Sequence, residues 1–266
     1  PGMHPLHPHH TTFAHLLPAV SRPPPQTATR AKIVDQSVNT SHDAPALGDS
    51  ADRPRIPPTH TTMGRVSDAR QRLMNAVSEL IWTGSYGTTT IDQICDRAGV
   101  KKGSFYYFFE SKAALAEEAI QAGWDEYRTK LDAVFSASRP PLDRLRAYCD
   151  FEYREQLELK QRYGFVLGCP LCTLGTEIST LESSLCRKVN EIMQQSRRYF
   201  ETTLRDAHAE GLLPPTDPAA KARLVYAYIE GLLSQARIQN DVDVLKDMEG
   251  GILGILGVAA VSAGPR

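Results

Sequence analysis

Apolar residues recur at every third or fourth position over much of the chain, the pattern of helices that bury one face. The first helix is predicted from Ser67, a suitable N-terminal cap, to about Thr83, and Gly84 and Gly87 end it. Its apolar stripe consists of Leu73, Ala76, Val77, Leu80 and Ile81. Because no segment alternates between apolar and polar residues, the sequence predicts an all-α fold.

Two short helices joined by a tight turn are predicted within residues 88–112. Thr90 is a good N-cap for the first helix, and Gln93, three residues later, completes a capping box. Gly99 can adopt the left-handed conformation that ends this helix, and Ser111 can cap the helix that follows the pair. This order of elements predicts a helix-turn-helix, a motif that places its second helix in a DNA groove.

The second helix of the pair begins near Lys101 and carries basic and polar residues in its first turn. By helical spacing its phenylalanines point inward, whereas Tyr106 and Tyr107 point outward, where hydroxyls beside lysines suit phosphates and base edges. The start of the following helix, with Lys112, offers an anion site. The alternative is an ordinary helical hairpin with a solvated basic face. The predicted DNA contacts are Thr90, Lys101, Lys102, Gly103, Ser104, Tyr106, Tyr107 and Lys112.

The segments TTTIDQIC, AGVKKGSFYYF and ESK within this region resemble the DNA-binding domain of the TetR (TetR/AcrR) family of bacterial transcription regulators. Three residues depart mildly from the family pattern: Cys95, Lys101 and Ser104. The resemblance implies an all-helical homodimer that binds a palindromic operator and is released by a small ligand in its second domain. It also implies that Thr90 and Tyr106 hold phosphates, and that the remaining predicted contacts lie in or beside the major groove or at the next helix start.

The chain divides into three predicted parts. Residues 1–62 hold 11 of the 18 prolines and seven of the eight histidines, so we expect a disordered extension, or sequence upstream of a natural start at Met63. Residues 63–112 form the helix-turn-helix DNA-binding domain, and residues 113–266 the ligand-binding and dimerisation domain. Adventitious metal binding is the alternative role of the histidine cluster, which comprises His4, His7, His9 and His10.

Five further helices are predicted in the third part, with a loop around residues 164–175. The last two are rich in apolar residues, and pairing them by two-fold symmetry would form a four-helix dimer interface. A self-contained core is the alternative. The predicted helices run from Ser111 toward Phe135, from Leu142 to about Lys160, from about Glu177 to Glu210, from Asp217 as a cap, and from about Val242 to Val261.

Cys169 and Cys172 form a C-x-x-C pair, a spacing that can ligate zinc or act as a dithiol. No partner pair for zinc follows, and the βαβ context of a thioredoxin-like site is missing, so a dithiol enzyme is the least favoured function. We expect both cysteines to lie in a pocket wall or core. Sensing of oxidants or electrophiles is the alternative, if a helix N-terminus near Thr173 lowers a thiol pKa.

A mixture of aromatic and polar residues predicts a small-molecule pocket. Its predicted residues are Tyr148, Phe151, Glu152, Phe165, Cys169, Cys172, Glu177 and Tyr228. The sequence predicts no catalytic residues, no resident metal and no cofactor, because it contains no phosphate-binding loop and no nucleophile paired with a base.

Net charge excludes a protein that is basic throughout, because the whole chain carries −1 with a pI of about 6.8. Residues 64–112 instead carry seven basic and five acidic residues, a weak positive field that favours DNA binding by a dimer. Free cysteines without a signal peptide favour the cytoplasm. The apolar tail near the C-terminus is about 12 residues long, too short to span a bilayer. The predicted function is therefore a DNA-binding transcriptional regulator that works as a ligand-released repressor, with an activator or a cysteine-based sensor as alternatives.

Overall fold

The computed structural model describes residues 62–258, with side chains from residue 68 onward. Over this range the chain is helical and contains no strand, which confirms the all-α prediction. The elements are α1 Thr62–Thr83, α2 Ile91–Ala98, α3 Lys102–Phe108, α4 Lys112–Val134, α5 Pro141–Tyr163, α6 Pro170–Ile178, α7 Ser183–Ala209, α8 Pro218–Gln239, a 3₁₀ helix Val242–Asp247 and α9 Met248–Leu256.

The N-terminal core is built where α1 packs against α2, α3 and the start of α4. Leu73, Ile94, Phe105 and Leu115 are fully buried there, one from each of the four helices. Residues of α6 and α7, such as Ile178, belong to the same apolar cluster. Burial of this shared cluster fixes the helix-turn-helix against the second half of the molecule.

The C-terminal core lies between α4, α5, α7, α8 and α9. Its centre is aromatic, and Phe200 meets the Tyr148 ring edge-to-face with 4.9 Å between centroids. The contact between α7 and α8 is the most extensive between any two described elements, and Ile192 and Ile229 are fully buried in that core. This second core holds α4 and α5 in place as the walls of a cavity described below.

Three predicted boundaries were wrong. Helix α1 begins at Thr62, so Ser67 lies inside the helix and does not cap it. The predicted loop around residues 164–175 contains the start of α6, because Cys169 occupies the N-cap and Pro170 the first helical position. The helix predicted from Glu177 begins only at Ser183, after a turn that separates α6 from α7.

The last predicted helix is divided into two elements. Asp241 caps a 3₁₀ helix, α9 follows, and Gly257, with φ of 71°, ends α9. The predicted end at Val261 lies outside the described residues. The helix predicted from the Asp217 cap with Pro218 at its first position is confirmed, and Asp217 Oδ1 accepts a hydrogen bond from Ala219 N at 2.9 Å.

The predicted Pro- and His-rich extension, with its four clustered histidines, lies outside the described residues except for Thr62. Within residues 62–258 no helix has the length and hydropathy needed to cross a membrane. Among those residues there is also no group of three or more His, Cys, Asp or Glu side chains placed to hold a metal ion.

Candidate nucleic-acid interface and interior cavity

Helix α2 is fixed at both of its ends, and its C-terminal end forms the turn to α3. Thr90 Oγ1 accepts a hydrogen bond from Gln93 N at 3.2 Å, and Gln93 Oε1 accepts one from Thr90 N at 2.8 Å, so the predicted capping box is confirmed. Gly99 has φ of 61° and ends α2, as predicted. Arg72 of α1 donates to the carbonyl of Ala98 at 2.7 Å. These contacts set the direction in which α3 leaves the turn.

Helix α3 presents aromatic side chains on both of its faces, for different reasons. Phe105 is fully buried and Phe109 is 3% exposed, so the inner face is core as predicted. Tyr106 and Tyr107 are 55% and 75% exposed. A Cβ added at Gly103 would meet nothing within 4 Å, so the protein's own packing does not require glycine there. The outer face of α3 is therefore an open surface with two prominent tyrosines.

The two lysines at the start of α3 differ in their surroundings. Lys101 is the N-cap residue and its side chain is exposed. Lys102 Nζ lies 2.8 Å from Asp92 Oδ1 of α2, and the hydrogen bond to Asp92 raises the pKa of Lys102. Both members of this ion pair are largely exposed, so the pair is weak and can open when a stronger anion approaches.

Lys112 joins the end of the α1–α2 loop to α4. Its ammonium donates to the carbonyl oxygens of Tyr86 and Thr89, both at 2.8 Å, and lies 4.1 Å from the centre of the Tyr86 ring. Burial lowers the pKa of Lys112. Two of its three donors are thus satisfied inside the protein, which leaves one for an external anion. Ser111 caps α4 as predicted, accepting from Ala114 N at 3.0 Å.

A buried ion pair that the sequence did not reveal locks α1 to α2. Arg97 donates from Nε to Glu79 Oε2 at 2.8 Å and from Nη2 to Oε1 at 2.5 Å. Glu79 lies on the inward side of α1 and is only 6% exposed. The hydrogen bonds that Arg97 donates to Glu79 raise the pKa of Arg97. Residues 18 positions apart give no periodic signal, so only the fold brings them together.

A cavity of about 120 Å³ lies inside the second half of the molecule, bounded by α1, α4, α5, α6, α7 and α8. Three of the predicted pocket residues line it: Tyr148, Glu152 and Cys169. The sequence missed the aromatic residues Trp124, Tyr127 and Tyr226 and the carboxyls of Glu155 and Glu230, all of which also line it. These side chains come from helices far apart in the chain, and no single helix pattern shows that they meet.

The other predicted pocket residues do not line the cavity. Phe165 is 62% exposed at the surface, and Phe151 packs beside Tyr127 and Tyr148 in the C-terminal core. Tyr228 donates to the carbonyl of Asp247 at 3.0 Å. Cys172 lies one turn along α6 from Cys169, outside the lining. The remaining residue, Glu177, contacts the α1–α2 loop, as described below.

Three carboxyl groups face the cavity in different states. Glu152 accepts from the Tyr127 hydroxyl at 3.1 Å and from Gln156 Nε2 at 3.2 Å, and burial nonetheless raises its pKa. Glu155 pairs with Lys130 at 3.4 Å, and burial raises the pKa of Glu155 to about 7. Glu230 Oε2 is buried with no hydrogen-bond partner among the described residues, and burial raises the pKa of Glu230. None of the described residues that line the cavity is Lys, Arg or His.

The thiols of Cys169 and Cys172 are free and are held in their neutral form. Cys169 Sγ, at the N-cap of α6, accepts from Cys172 N at 3.4 Å. Burial and then the nearby Glu230 carboxyl raise the pKa of Cys169 well above its usual value, and the same two causes raise the pKa of Cys172. The lowered thiol pKa that the sensing alternative requires is therefore absent at these two cysteines, because burial outweighs the helix amides.

Helix α6 connects the cavity wall to the loop that precedes α2. At one end Cys169 lines the cavity, and at the other Glu177 accepts hydrogen bonds from Ser85 Oγ at 2.6 Å, Gly87 N at 2.7 Å and Tyr86 N at 2.9 Å. Burial opposes the ionised form, but these donors outweigh it and lower the pKa of Glu177. Helix α6 therefore contacts both the cavity and the loop that precedes α2.

Comparison with models of known protein families gives matches to the same family in both halves of the chain. The model of the N-terminal domain of bacterial regulatory proteins of the tetR family matches residues 73–119. The model described as the tetracyclin repressor-like C-terminal domain matches residues 141–249.

The sequence is also similar to individual proteins over most of their length. The chain is 31% identical over 180 residues to the transcriptional regulator AcuR of Cereibacter sphaeroides, covering 66% of this chain and 80% of that protein. It is 24% identical over 200 residues to the repressor NemR of Escherichia coli, covering 73% of this chain and 96% of NemR.

The fold of solved relatives is also shared. A regulatory protein TetR from Rhodobacter sphaeroides superimposes with a TM-score of 0.62 at 30% identity, covering 69% of this chain and 96% of that one. The reduced form of E. coli NemR gives a TM-score of 0.61 at 22% identity, covering 73% and 100%. The two-part helical fold and its helix-turn-helix define a DNA-binding transcriptional regulator. The chain belongs to the TetR family of such regulators, as the resemblance of residues 88–112 predicted.

Proposed function

We propose that this protein is a repressor that binds a palindromic operator as a homodimer and leaves it when a small effector enters the interior cavity. The observation that carries the proposal is the outer face of α3, where exposed lysines and tyrosines stand on a helix that follows the Gly99 turn at the end of the capped helix α2. We further infer that it works in the cytoplasm, where the chromosome lies, and that it catalyses no reaction.

The proposed DNA contacts divide between phosphates and bases. Thr90 and Tyr106 hold phosphates, and α3 enters the major groove with Lys101, Ser104 and Tyr107 near base edges. The remaining predicted contacts are Lys102, Gly103 and Lys112. The opening of the Lys102–Asp92 pair would supply a cation to a phosphate. The open space around Gly103 supports close approach of its backbone to DNA.

The proposed dimer forms through α8 and α9. An exposed stripe of apolar and small residues runs along α8, in which Leu224 is 56% and Ile238 is 83% exposed. Between them Gly231 has nothing within 4 Å of a Cβ position, and the same holds for Gly250 and Gly254 on the exposed face of α9. Small residues let helices approach closely, so these faces fit the two-fold four-helix interface predicted from sequence.

The proposed release mechanism runs through α6. A molecule that fills the cavity presses on Cys169 and Leu174, which lie on α6. Glu177 passes the displacement to residues 85–87, which directly precede the Thr90 cap. An effector that binds tightly only to the displaced arrangement shifts the population away from the form in which two α3 helices match the operator.

A gel-shift titration tests this proposal. The probe is the duplex DNA upstream of the gene for this protein, with a shuffled duplex of equal length as competitor. We expect a discrete complex that contains two chains and that Tyr107→Ala weakens by about tenfold or more. Equal affinity for the shuffled duplex, or no complex, would contradict it. An operator upstream of the promoter elements, with increased transcription, would favour the activator alternative.

A further inference from the structure

The cavity is unusual in its charge, and this points to the kind of effector that it takes. Its described lining includes Glu152, Glu155 and Glu230 but no basic side chain. Glu155 has Lys130 as a partner from outside the lining, and Glu152 has two hydrogen-bond donors. The Glu230 carboxyl has hydrogen bonds from Cys169, Tyr226 and Cys172, which partly oppose the effect of burial on its pKa. Glu230 differs from the other two because its Oε2 atom is buried and without a partner among the described residues.

A buried carboxyl oxygen without a hydrogen-bond partner costs folding free energy. Natural proteins therefore keep one where a bound group supplies the missing hydrogen bond. Burial raises the pKa of Glu230 and favours its neutral form in the empty cavity. An ammonium placed beside it would supply both a hydrogen-bond donor and the opposite charge, which favour the ionised carboxylate. An anionic ligand would instead find no basic side chain among the described lining residues to offset its charge.

The rest of the wall suits an organic cation with an apolar body. Five aromatic side chains line the space, and aromatic faces attract cations. Trp82 is one, and the other four come from α4, α5 and α8. They are Trp124, Tyr127, Tyr148 and Tyr226. The volume of about 120 Å³ sets the size of the ligand. A cavity of about 150 Å³ in another protein accommodates benzene, so this slightly smaller one limits the body of the ligand to about one ring.

We propose that the effector is a small organic cation, a protonated amine on a compact aromatic or aliphatic body, whose ammonium group binds the unpartnered oxygen of Glu230. This rests on the proposed function, because it specifies the ligand of the same cavity. Glu152 lines the same cavity from α5, and its carboxyl supports the positive charge. The aromatic side chains enclose the body of the ligand.

Isothermal titration of the purified full chain with three probes of matched size tests the proposal. The probes are benzylamine, which is cationic at neutral pH, benzyl alcohol, which is neutral, and benzoate, which is anionic. We expect benzylamine to bind at least roughly tenfold more tightly than benzyl alcohol, and benzoate most weakly. In Glu230→Gln the preference of benzylamine over benzyl alcohol should fall to within about threefold, because a neutral amide replaces the carboxylate.

Matched controls separate charge recognition from damage to the fold. Unchanged benzyl alcohol binding in Glu230→Gln shows that the cavity is intact, and Glu210→Gln, a carboxylate on the exposed surface, should keep the full preference for the amine. If Glu230→Gln does not fold, the proposal is tested by the ratio of benzylamine affinity to benzyl alcohol affinity in the wild type. Glu152→Gln then serves as the second variant in which this ratio is measured.

Two outcomes would overturn the proposal. One is benzyl alcohol or benzoate binding as tightly as benzylamine, and the other is no benzylamine binding at roughly 10 mM. Neither outcome touches the proposed function, which the gel shift without any ligand tests separately. If the gel shift shows no complex but benzylamine binds through Glu230, the proposed repressor function is rejected and the proposed cation-binding site is retained.

Discussion

Three glutamates perform different tasks in this protein, and the groups around each one determine its task. Glu79 pairs with Arg97 and ties α1 to α2. Glu177 collects three hydrogen bonds from the α1–α2 loop. Glu230 has one oxygen with no partner among the described residues and faces the cavity. The same side chain therefore serves as a structural ion pair, a loop clamp and a proposed ligand contact.

Removal of Arg97 should destabilise the helix-turn-helix. Arg97→Ala leaves the Glu79 carboxylate buried and unpaired, and we expect a loss of about 1–3 kcal/mol, discounted from the value for a fully buried pair because Arg97 is partly exposed. Urea unfolding followed by circular dichroism measures it. Arg128→Ala, which removes an exposed pair with Asp125, is the control and should change stability by under about 0.5 kcal/mol. Equal effects of the two variants would contradict this account of Glu79.

Glu155 should make stability depend on pH between about 4.5 and 7. Its folded-state pKa is raised from 4.5 to about 7, so the folded protein binds the proton more tightly than the unfolded chain. Stability from this group is therefore full below pH 4.5 and is lost as pH rises toward 7. The free energy of unfolding of Glu155→Gln relative to that of the wild type should therefore rise by roughly 2–3 kcal/mol between pH 4.5 and pH 7.

The measurement for Glu155 is the difference in unfolding free energy between wild type and Glu155→Gln at several pH values from 4 to 8. A difference that stays constant across the series would show that the Glu155 pKa is not raised. Glu210→Gln, on the exposed surface, should give a flat difference and serves as the control.

At the scale of elements, local signals predicted the helix-turn-helix well and α6 poorly. Thr90, Gln93 and Gly99 are cap and turn residues whose chemistry acts within a few positions, so the sequence shows them directly. Helix α6 begins with Cys169 as cap and Pro170 at the first position, a combination that glycines at either side obscured. The cap followed by proline was the signal that could have located it.

The cavity could be predicted only in part, because its walls come from helices that tertiary packing brings together. Tyr148 and Glu152 share one face of α5 and were found by helical spacing. Trp124 and Glu230 lie on α4 and α8, more than 100 residues apart, and no periodic pattern connects them. Tyr228 follows the apolar pattern of α8 but turns toward the carbonyl of Asp247.

Helix α6 should hold the α1–α2 loop in place through one side chain. Glu177→Ala removes the acceptor for the Tyr86 and Gly87 amides, and we expect both amides to exchange with deuterium about tenfold faster or more. Exchange followed by NMR or mass spectrometry measures it. Glu191→Ala, on the exposed face of α7, should leave the loop unchanged. Unchanged protection in Glu177→Ala would remove α6 from the proposed route of release.

At the scale of the whole molecule, the proposed dimer explains why α8 and α9 leave small residues exposed. Gly231→Leu and Gly254→Leu place large side chains where a partner helix would approach but where the chain itself has open space. We expect each variant to fold and to shift toward monomer, with operator affinity reduced about tenfold or more because half-sites must then be bound singly.

Sedimentation velocity of these variants gives the oligomeric state directly. Thr202→Leu, on the exposed face of α7, adds a similar side chain elsewhere and should remain dimeric. Dimers of unchanged stability in both glycine variants would place the interface on another face of the molecule.

The central claim is that two copies of α3 dock together in successive major grooves of one operator. Footprinting of the upstream duplex with the wild type and Tyr107→Ala tests it most directly. The account predicts a protected region with two inverted half-sites, their centres about 10 bp or a multiple of that apart, which disappears in Tyr107→Ala. Protection of a single asymmetric site, or protection that Tyr107→Ala leaves intact, would contradict it.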